Sequence, residues 1–530
     1  MEKFLPTSTH DFPQMITGNF VYVDKTRYVY EMVRVPQAYY FLSRPRRFGK
    51  SMLVSTLGAL FEGKKELFKG LWIDGSDWPW KTHPVIKIDF SEIDLTDAKI
   101  LEESLLQALD QTASRHGIIL QSNLLPNKFA ELIIALSAKF QERAVILIDE
   151  YDKPIITHLG KGEDELRIAK QSRDLLKNFF GVLKGANVSA VLRFVFFTGV
   201  SKFSKVSIFS ELNNLQDLTM QEAYAGLLGY TPQELTTYFS EWIEKLAHAR
   251  QMNREETASE LQQWYNGYRF TKNALQVYNP FSILNVFAEC DFKNYWFETG
   301  TPSFLVNLIK EKNYSVPNLE NLQVREATFS TYDLENLKLE ALLFQTGYLT
   351  IQDFDGVLYR LDYPNQEVKT AFLGYLYDNV VEIADTTQKE QFIRLHQYLA
   401  QDDLGQFIET TNAILASIPY TQIRDQAAPA ANELYYHTVF YLMVAASGVL
   451  VHSEVLNAHG RMDMAVEFKD KVFIIELKCN QSAEQALRQI HEKRYHEKYV
   501  QSGRRIYLLG INFNTKEKAI TDWRLEPFGN

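Results

Sequence analysis

Two groups of residues in this 530-residue chain have the types and spacings that phosphate chemistry requires. The first begins with Gly49-Lys50-Ser51, the last three places of the G-x-x-x-x-G-K-[ST] loop that cradles phosphates. In such a loop Lys50 reaches the β- and γ-phosphates and the Ser51 hydroxyl ligates Mg²⁺. The free N–H groups of the helix that follows hold the anion. About a hundred residues later AVILIDE ends in Asp149 and Glu150. Asp149 suits the metal shell, and Glu150 suits the orientation and deprotonation of an attacking water. The second group is Asp463 followed, after twelve residues, by Glu476-Leu477-Lys478. Two carboxylates on adjacent strands suit a hard divalent cation, Mg²⁺ or Mn²⁺. Water activated there attacks a phosphodiester, and a lysine alongside orients that water or neutralises the developing charge.

A Gly-Lys-Ser triplet alone is weak evidence, so its flanks matter. The apolar stretch AYYFLS (38–43) enters the loop, and Met52, Leu53, Leu57 and Leu60 leave it at helical spacing. Further strands are expected at VIKIDF (85–90), AVILID (144–149) and RFVFFTG (193–199), alternating with helical stretches. Continuous apolar strands separated by helices imply a largely parallel sheet buried on both faces. Ligands of such sheets bind at the strands' carboxyl ends, where Asp149, Glu150 and Thr198 fall. Thr198 is the candidate for a polar sensor of the γ-phosphate. Lys202, Lys205 and Arg269 are candidate charge-stabilising fingers, and spacing does not choose among them.

For the second group geometry decides, because D-x12-E-x-K also arises by accident. RMDMAVEF and KVFIIELKC have strand composition, with a polar turn at Lys469 to Lys471. Pairing Phe468 with Phe473 puts Asp463 opposite Lys478. Met462, Met464, Val466 and Phe468 then share one face with Phe473, Ile475, Leu477 and Cys479, and the three polar groups share the other. A one-residue slip would turn Asp463 to the apolar side.

The bulk composition bounds these readings. The chain is 46% hydrophobic and carries a net charge of −10, which argues against coating nucleic acid by bulk electrostatics but allows a local basic groove. Arg488, Lys493, Arg494, His496, Lys498, Arg504 and Arg505 are the stretch rich enough in cations for a phosphate-backbone track, although Glu492 and Glu497 interrupt it. The two cysteines lie far apart, so the expected compartment is the reducing cytoplasm. No apolar run reaches the length of a bilayer span, and no membrane partner is expected.

The stretches YVDKTRYVY, FLSRPRRFGKSM, VILIDEYDKP, FFTGVSKFSKVSIFSELNNLQDLT and YWFETGTPSFL resemble the AAA-ATPase-like family found beside nuclease domains, over roughly residues 1 to 305. The resemblance makes Arg44-Pro45 that family's own form of the phosphate loop. It implies ATP as ligand, with Arg46, Arg47, Phe48, Gly49, Lys50, Ser51 and Met52 around it, Walker B residues Asp149 and Glu150, and Asp24-Lys25 near the adenine. The GRMD and IIELK segments resemble the PD-(D/E)XK nuclease superfamily over about residues 425 to 525. That resemblance adds Gln489 to the catalytic set and Glu433, with His437 one turn on, as an acidic position near the metal. The implied architecture is α/β. A P-loop NTPase domain with a parallel sheet (1–220) precedes a helical lid (221–278). A helical, winged-helix-like region (279–425) and a restriction-endonuclease-like domain (426–530) follow. The expected activity is ATP hydrolysis coupled to Mg²⁺-dependent cutting of nucleic acid, DNA more than RNA, with a homo-oligomer as family context. The alternative class is a nucleotide-switched interaction protein whose nuclease fold does not cut.

Overall fold

A computed structural model describes residues 3–202, 208–209, 212, 214–298, 303–311, 314, 316–330, 338–380, 394–417, 429–457 and 460–529. The chain forms two compact units, one of Met1–Leu308 with Gln323–Arg360 and one of Ile309–Leu322 with Leu361–Asn530. The expected boundaries at 220 and 278 fall inside the first and that at 425 inside the second.

In the first unit β1 (Ala38–Ser43), β2 (Val85–Asp89), β3 (Ala144–Asp149), β4 (Leu192–Gly199) and the short β5 (Gln216–Asp217) form one parallel sheet, ordered β2-β3-β4-β1-β5. Every residue of β1, β3 and β4 is buried, as continuous apolar runs covered on both faces must be. Registers pair Ser43 with Gly199 and Asp89 with Asp149, so the carboxyl ends finish together along one edge. The helix Lys50–Phe61 starts directly beyond that edge. Helices Pro232–Tyr238, Ser240–Ala249 and Arg254–Tyr265 enclose a separate core of Phe239, Ile243, Leu246 and Leu261 with Val21 and Val23. Two of these helices open with capping boxes, Thr231/Glu234 and Asn253/Glu256, each satisfying two N–H groups reciprocally.

Helix Leu339–Thr346 ends at Gly347 in the left-handed region and leads into a small sheet ordered β6 (Leu322–Val324), β8 (Tyr359–Asp362), β7 (Thr350–Phe354). β7 and β8 are neighbours in this sheet and form a hairpin. Its turn is closed by the Asp355 carboxylate, which accepts the N–H groups of Val357 and Leu358 at 2.9 and 2.8 Å.

The second unit holds a mixed sheet of β9 (Leu450–Asn457), β10 (Gly460–Glu467), β11 (Lys471–Cys479), β12 (Arg505–Asn514) and β13 (Ala519–Phe528), ordered β13-β12-β11-β10-β9. Only β11 and β12 run parallel. Tyr436 and Phe440 of helix Pro429–Ala446 pack on Phe513. Leu487 and Ile490 of helix Ala483–Glu492 pack with Val472, Ile474 and Leu508. β11 is thus buried on both faces until its last residues. Glu320, whose side chain is 1% exposed, ties its segment to this unit by accepting from Lys369 Nζ at 2.8 Å, from the Ser453 N–H at 3.0 Å and from the Tyr441 hydroxyl. A buried carboxylate is tolerated only when paired in this way.

Three expectations need correction here. Val466 pairs with Phe473, so the ladder runs two residues tighter than the Phe468–Phe473 pairing and sets Asp463 toward Glu476 rather than Lys478. The shift is even, so every side chain keeps its face. β13 was not expected, because AITDWRLEPF is polar, contains Pro527 and has an edge strand's mostly exposed pattern. The helix carrying Gln489 stops at Glu492, and Arg494 (φ 48°) breaks the chain before a 3₁₀ stretch, so the cationic stretch expected from Arg488 to Arg505 is divided between elements.

Two candidate phosphate-chemistry sites

The loop between β1 and helix Lys50–Phe61 curves through two left-handed residues, Arg47 (φ 63°) and Gly49 (φ 90°). A non-glycine residue there costs on the order of 1–2 kcal/mol, strain that sites tolerate when the surroundings enforce it. Lys50 is 6% exposed and donates to the carbonyls of Arg44 and Pro45 at 3.1 and 2.9 Å. Burial lowers its pKa, while Asp149, Glu150 and Asp152 pull the other way. Ser51 and Met52 follow in the first turn, whose N–H groups have no partners within the helix. Arg46 and Arg47 are exposed at the loop tip. Phe48 is buried, its ring against Tyr268 and Phe270, which are core residues that back the loop.

At the end of β3, Asp149 is fully buried. One carboxylate oxygen accepts the Glu150 N–H at 2.9 Å, and the other has no partner. Burial raises its pKa, opposed by the Ser51 hydroxyl and by Lys50. An orphaned carboxylate oxygen beside a serine hydroxyl fits a Mg²⁺ held with a triphosphate. Glu150 adopts φ 51° and lies 3.3 Å from Lys153, half exposed. Asp152, which the sequence reading left unassigned, accepts from Val200 N–H, Ser201 N–H and Ser201 Oγ, binding the β3 end to the turn after β4. A Cβ on Gly199 would lie 2.3 Å from the Asp152 carboxylate and 2.7 Å from the Tyr151 ring. Since Asp152 is pinned, Gly199→Ala is expected to cost about 1–3 kcal/mol, read as a lower urea midpoint. An unchanged midpoint would show that this junction yields.

A cavity of about 860 Å³ spans the edge, within the ~300–1,000 Å³ typical of small-molecule sites. Its polar lining includes Arg46, Arg47, Lys50, Ser51, Glu150 and Asp152. Asp89 and Ser91, also in the lining, were missed although Asp89 ends a strand beside Asp149. The apolar lining comes from Val21, Leu227, Leu228, Tyr230, Phe281 and Leu284, and Thr7, Ser8, Thr9 and His10 also line the cavity. No local motif marks these segments, because they meet only through folding. Thr198 is not brought to the cavity; its hydroxyl donates to the Leu42 carbonyl at 2.8 Å across the sheet. Lys25 does line it, held by Glu234 at 2.7 Å, whereas Asp24 caps its own turn through Thr26 and Trp72. Among the finger candidates, Lys202 pairs with Asp217 at 3.0 Å and Arg269 donates to Gln352 O at 2.8 Å. Lys205 and residues 299–302 of TGTPSF lie outside the described residues.

In the second unit Asp463, Glu476 and Lys478 come together as expected. Asp463 Oδ2 accepts the Leu477 N–H at 2.8 Å, and Lys478 Nζ donates to Glu476 Oε1 at 2.9 Å. Glu476 is 1% exposed and its Oε2 has no partner. Burial, then the Asp463 carboxylate, push its pKa well above the carboxylate range. Burial lowers the Lys478 pKa, but Glu476, Asp463 and Glu433 outweigh it and the net shift is upward. Two crowded carboxylates, one with a free buried oxygen, fit a divalent cation that would relieve their repulsion.

His437 Nε2 lies 3.3 Å from the Asp463 carbonyl, a polar contact. Glu433, one turn earlier, is exposed, and among the described residues no three His, Cys, Asp or Glu side chains gather as a metal cluster. Glu433 thus acts on Lys478 through charge, without being assembled as a third ligand. Gln489 reaches Tyr495 Oη at 3.4 Å, and Tyr495, overlooked in the sequence, donates to the Arg461 carbonyl at 2.6 Å near Glu476 and Asp463. Burial pushes the thiol of the partly buried Cys479 up to about 12, so it carries little thiolate. The basic stretch is largely neutralised in place: Arg504 pairs with Glu467, Arg505 with Asp470 and Asp402, and Arg494 with Glu497. No helix among the described residues is long and apolar enough to cross a membrane.

Comparison with known proteins agrees with this division. Residues 6–209 match the family described as predicted AAA-ATPase, and residues 431–523 match the PD-(D/E)XK nuclease superfamily. An uncharacterized protein encoded in the vnfD 5′ region of Azotobacter chroococcum mcd 1 is 38% identical over 99% of both chains. A Walker-type ATPase of Pyrococcus abyssi is similar at 12% identity and a TM-score of 0.34, covering 70% of this chain and 98% of that one. The chain belongs to the same family as the Azotobacter protein, joining an AAA-ATPase-like domain to a C-terminal domain of the PD-(D/E)XK nuclease superfamily.

Proposed function

We propose that this protein binds and hydrolyses ATP in the cavity beside Lys50 and cuts nucleic acid at Asp463, Glu476 and Lys478, with nucleotide state governing the cutting. One observation carries the reading: each site holds a buried carboxylate oxygen without a partner, on Asp149 and on Glu476, with a lysine close by. Leaving such a group unsatisfied costs about 1–3 kcal/mol or more, which a bound cation would recover.

In the first site Lys50 exchanges the Arg44 and Pro45 carbonyls for phosphate oxygens, and the first-turn N–H groups and Arg46 hold the rest. Glu150 orients water in line with the γ-phosphate. Ser51 and Asp149 would hold Mg²⁺, which supplies charge neutralisation. In the second site Asp463 and Glu476 would hold Mg²⁺ or Mn²⁺, which lowers the pKa of water. Lys478 stands where charge develops on the phosphodiester.

The exposed position of Glu433 favours a second reading, in which the fold binds nucleic acid or a partner without cutting. Purified protein incubated with labelled duplex DNA, single-stranded DNA and RNA, with Mg²⁺ or Mn²⁺ and with or without ATP, separates the two. Phosphate release and ATP-dependent cleavage, DNA foremost, are expected. Absence of cleavage on every substrate would leave the switch reading in place.

A further inference from the structure

The loop Arg44–Phe48 contains no glycine, yet it must keep a fixed curve around a triphosphate. Its residues are pinned one by one from segments far along the chain. Arg44 donates to the Ser43 and Thr219 carbonyls, both at 2.9 Å, and stacks on Phe270 at 4.1 Å. Pro45 fills the space where a Cβ on Gly347 would come within 2.7 Å. Phe48 is wedged against Tyr268 and Phe270. The Arg46 carbonyl at the tip receives the indole N–H of Trp296 at 2.9 Å. Trp296 is 4% exposed, with Tyr348 at 5.1 Å and Tyr268 at 6.5 Å from its ring.

In a trans peptide the carbonyl of one residue and the N–H of the next point in opposite directions. No cis peptide occurs among the described residues, so anchoring the Arg46 carbonyl on Trp296 turns the Arg47 N–H the other way. We infer that Trp296 is a positioning residue of the phosphate site: by holding the Arg46 carbonyl it sets the 46–47 peptide so that the Arg47 N–H and the Arg46 side chain address the phosphates. The inference rests on the ATP reading of the cavity. Its physical basis is that Arg47, a non-glycine residue ahead of Gly49 in the loop, needs an outside contact to hold a left-handed conformation that its own side chain disfavours. That donor comes from YWF, outside the segment matched by the ATPase family.

Trp296→Phe keeps the ring and removes the donor. ATP affinity should fall about 3- to 10-fold, the range for losing one hydrogen bond, while adenosine, which has no phosphate, binds as in the wild type. A merely structural role would weaken both ligands together, and that outcome, or an unchanged ATP affinity, overturns the inference. A second measurement does not depend on the variant folding. The Trp296 indole N–H resonance of wild-type protein should shift with ATP and stay in place with adenosine; a resonance indifferent to ATP also overturns it. If wild-type protein binds neither ligand, the ATP reading itself fails instead.

Discussion

Asp463→Ala is expected to lower metal-dependent cutting by about 10³-fold or more while leaving ATP turnover at the wild-type level. The loss is large because Asp463 would have two tasks in the proposed site: offering an oxygen to the cation, and accepting the Leu477 N–H that fixes the end of β11 beside it. A second readout does not depend on cleavage. The Glu476 pKa is raised in the folded protein by burial and by Asp463. Between the unfolded value of about 4.3 and the raised folded value, the native state holds a proton that the unfolded chain has released. The slope of unfolding free energy with pH is therefore negative in that window. Stability contributed by this group is fully present below the unfolded pKa and is lost as pH climbs through the folded one. Metal-free wild type should thus melt at a lower temperature at pH 8 than at pH 5.5, and Glu476→Gln should flatten that component. Mg²⁺ or Mn²⁺ should restore the wild-type melting temperature at pH 8, since the cation needs both carboxylates deprotonated, and should do nothing for Asp463→Ala. Equal metal-induced shifts in the two proteins would remove Asp463 from the site.

The parts of the molecule legible in the sequence are those where local pattern and global fold agree. β1, β3 and β4 are apolar on both faces and appear within a residue of their expected limits. The polar faces of β10 and β11 were legible for a related reason, because side-chain alternation survives any even shift. The expected register was two residues too loose, yet Asp463, Glu476 and Lys478 still meet. What stayed hidden depends on burial or on distant partners. β13 is an edge strand without an apolar signature, and Thr198 resembles a sensor by position until its hydroxyl is seen bonded to Leu42. The apolar lining of the cavity is assembled from segments around residues 21, 228 and 281, and no single stretch marks it. Asp152 and Tyr495 are ordinary residues in sequence and gain meaning only from what they touch.

Lys50→Ala is expected to abolish ATP turnover, and Glu150→Gln to abolish it while keeping ATP bound. The two failures have different causes. Lys50 is a buried cation whose charge is sustained by the acids around it, Asp149, Glu150 and Asp152, against the cost of burial. Its Nζ is satisfied by the Arg44 and Pro45 carbonyls, so the loop is shaped around the lysine. Removing it takes away both the charge that meets the phosphates and the donor that gathers those carbonyls, and ATP affinity should fall by at least about 10²-fold, the range for losing a buried charged partner. Glu150 pairs with Lys153 at 3.3 Å on the cavity wall, in a left-handed backbone conformation that close surroundings maintain. Gln preserves its shape and hydrogen bonding but cannot take a proton, so turnover should drop by about 10²–10⁴-fold, the range for general-base loss, with affinity unchanged. Equilibrium binding of a fluorescent ATP analogue beside steady-state phosphate release distinguishes them. If Glu150→Gln hydrolyses at the wild-type rate, water activation belongs to another carboxylate at this edge. Asp89, which lines the same cavity from the neighbouring strand, is then the next residue to replace.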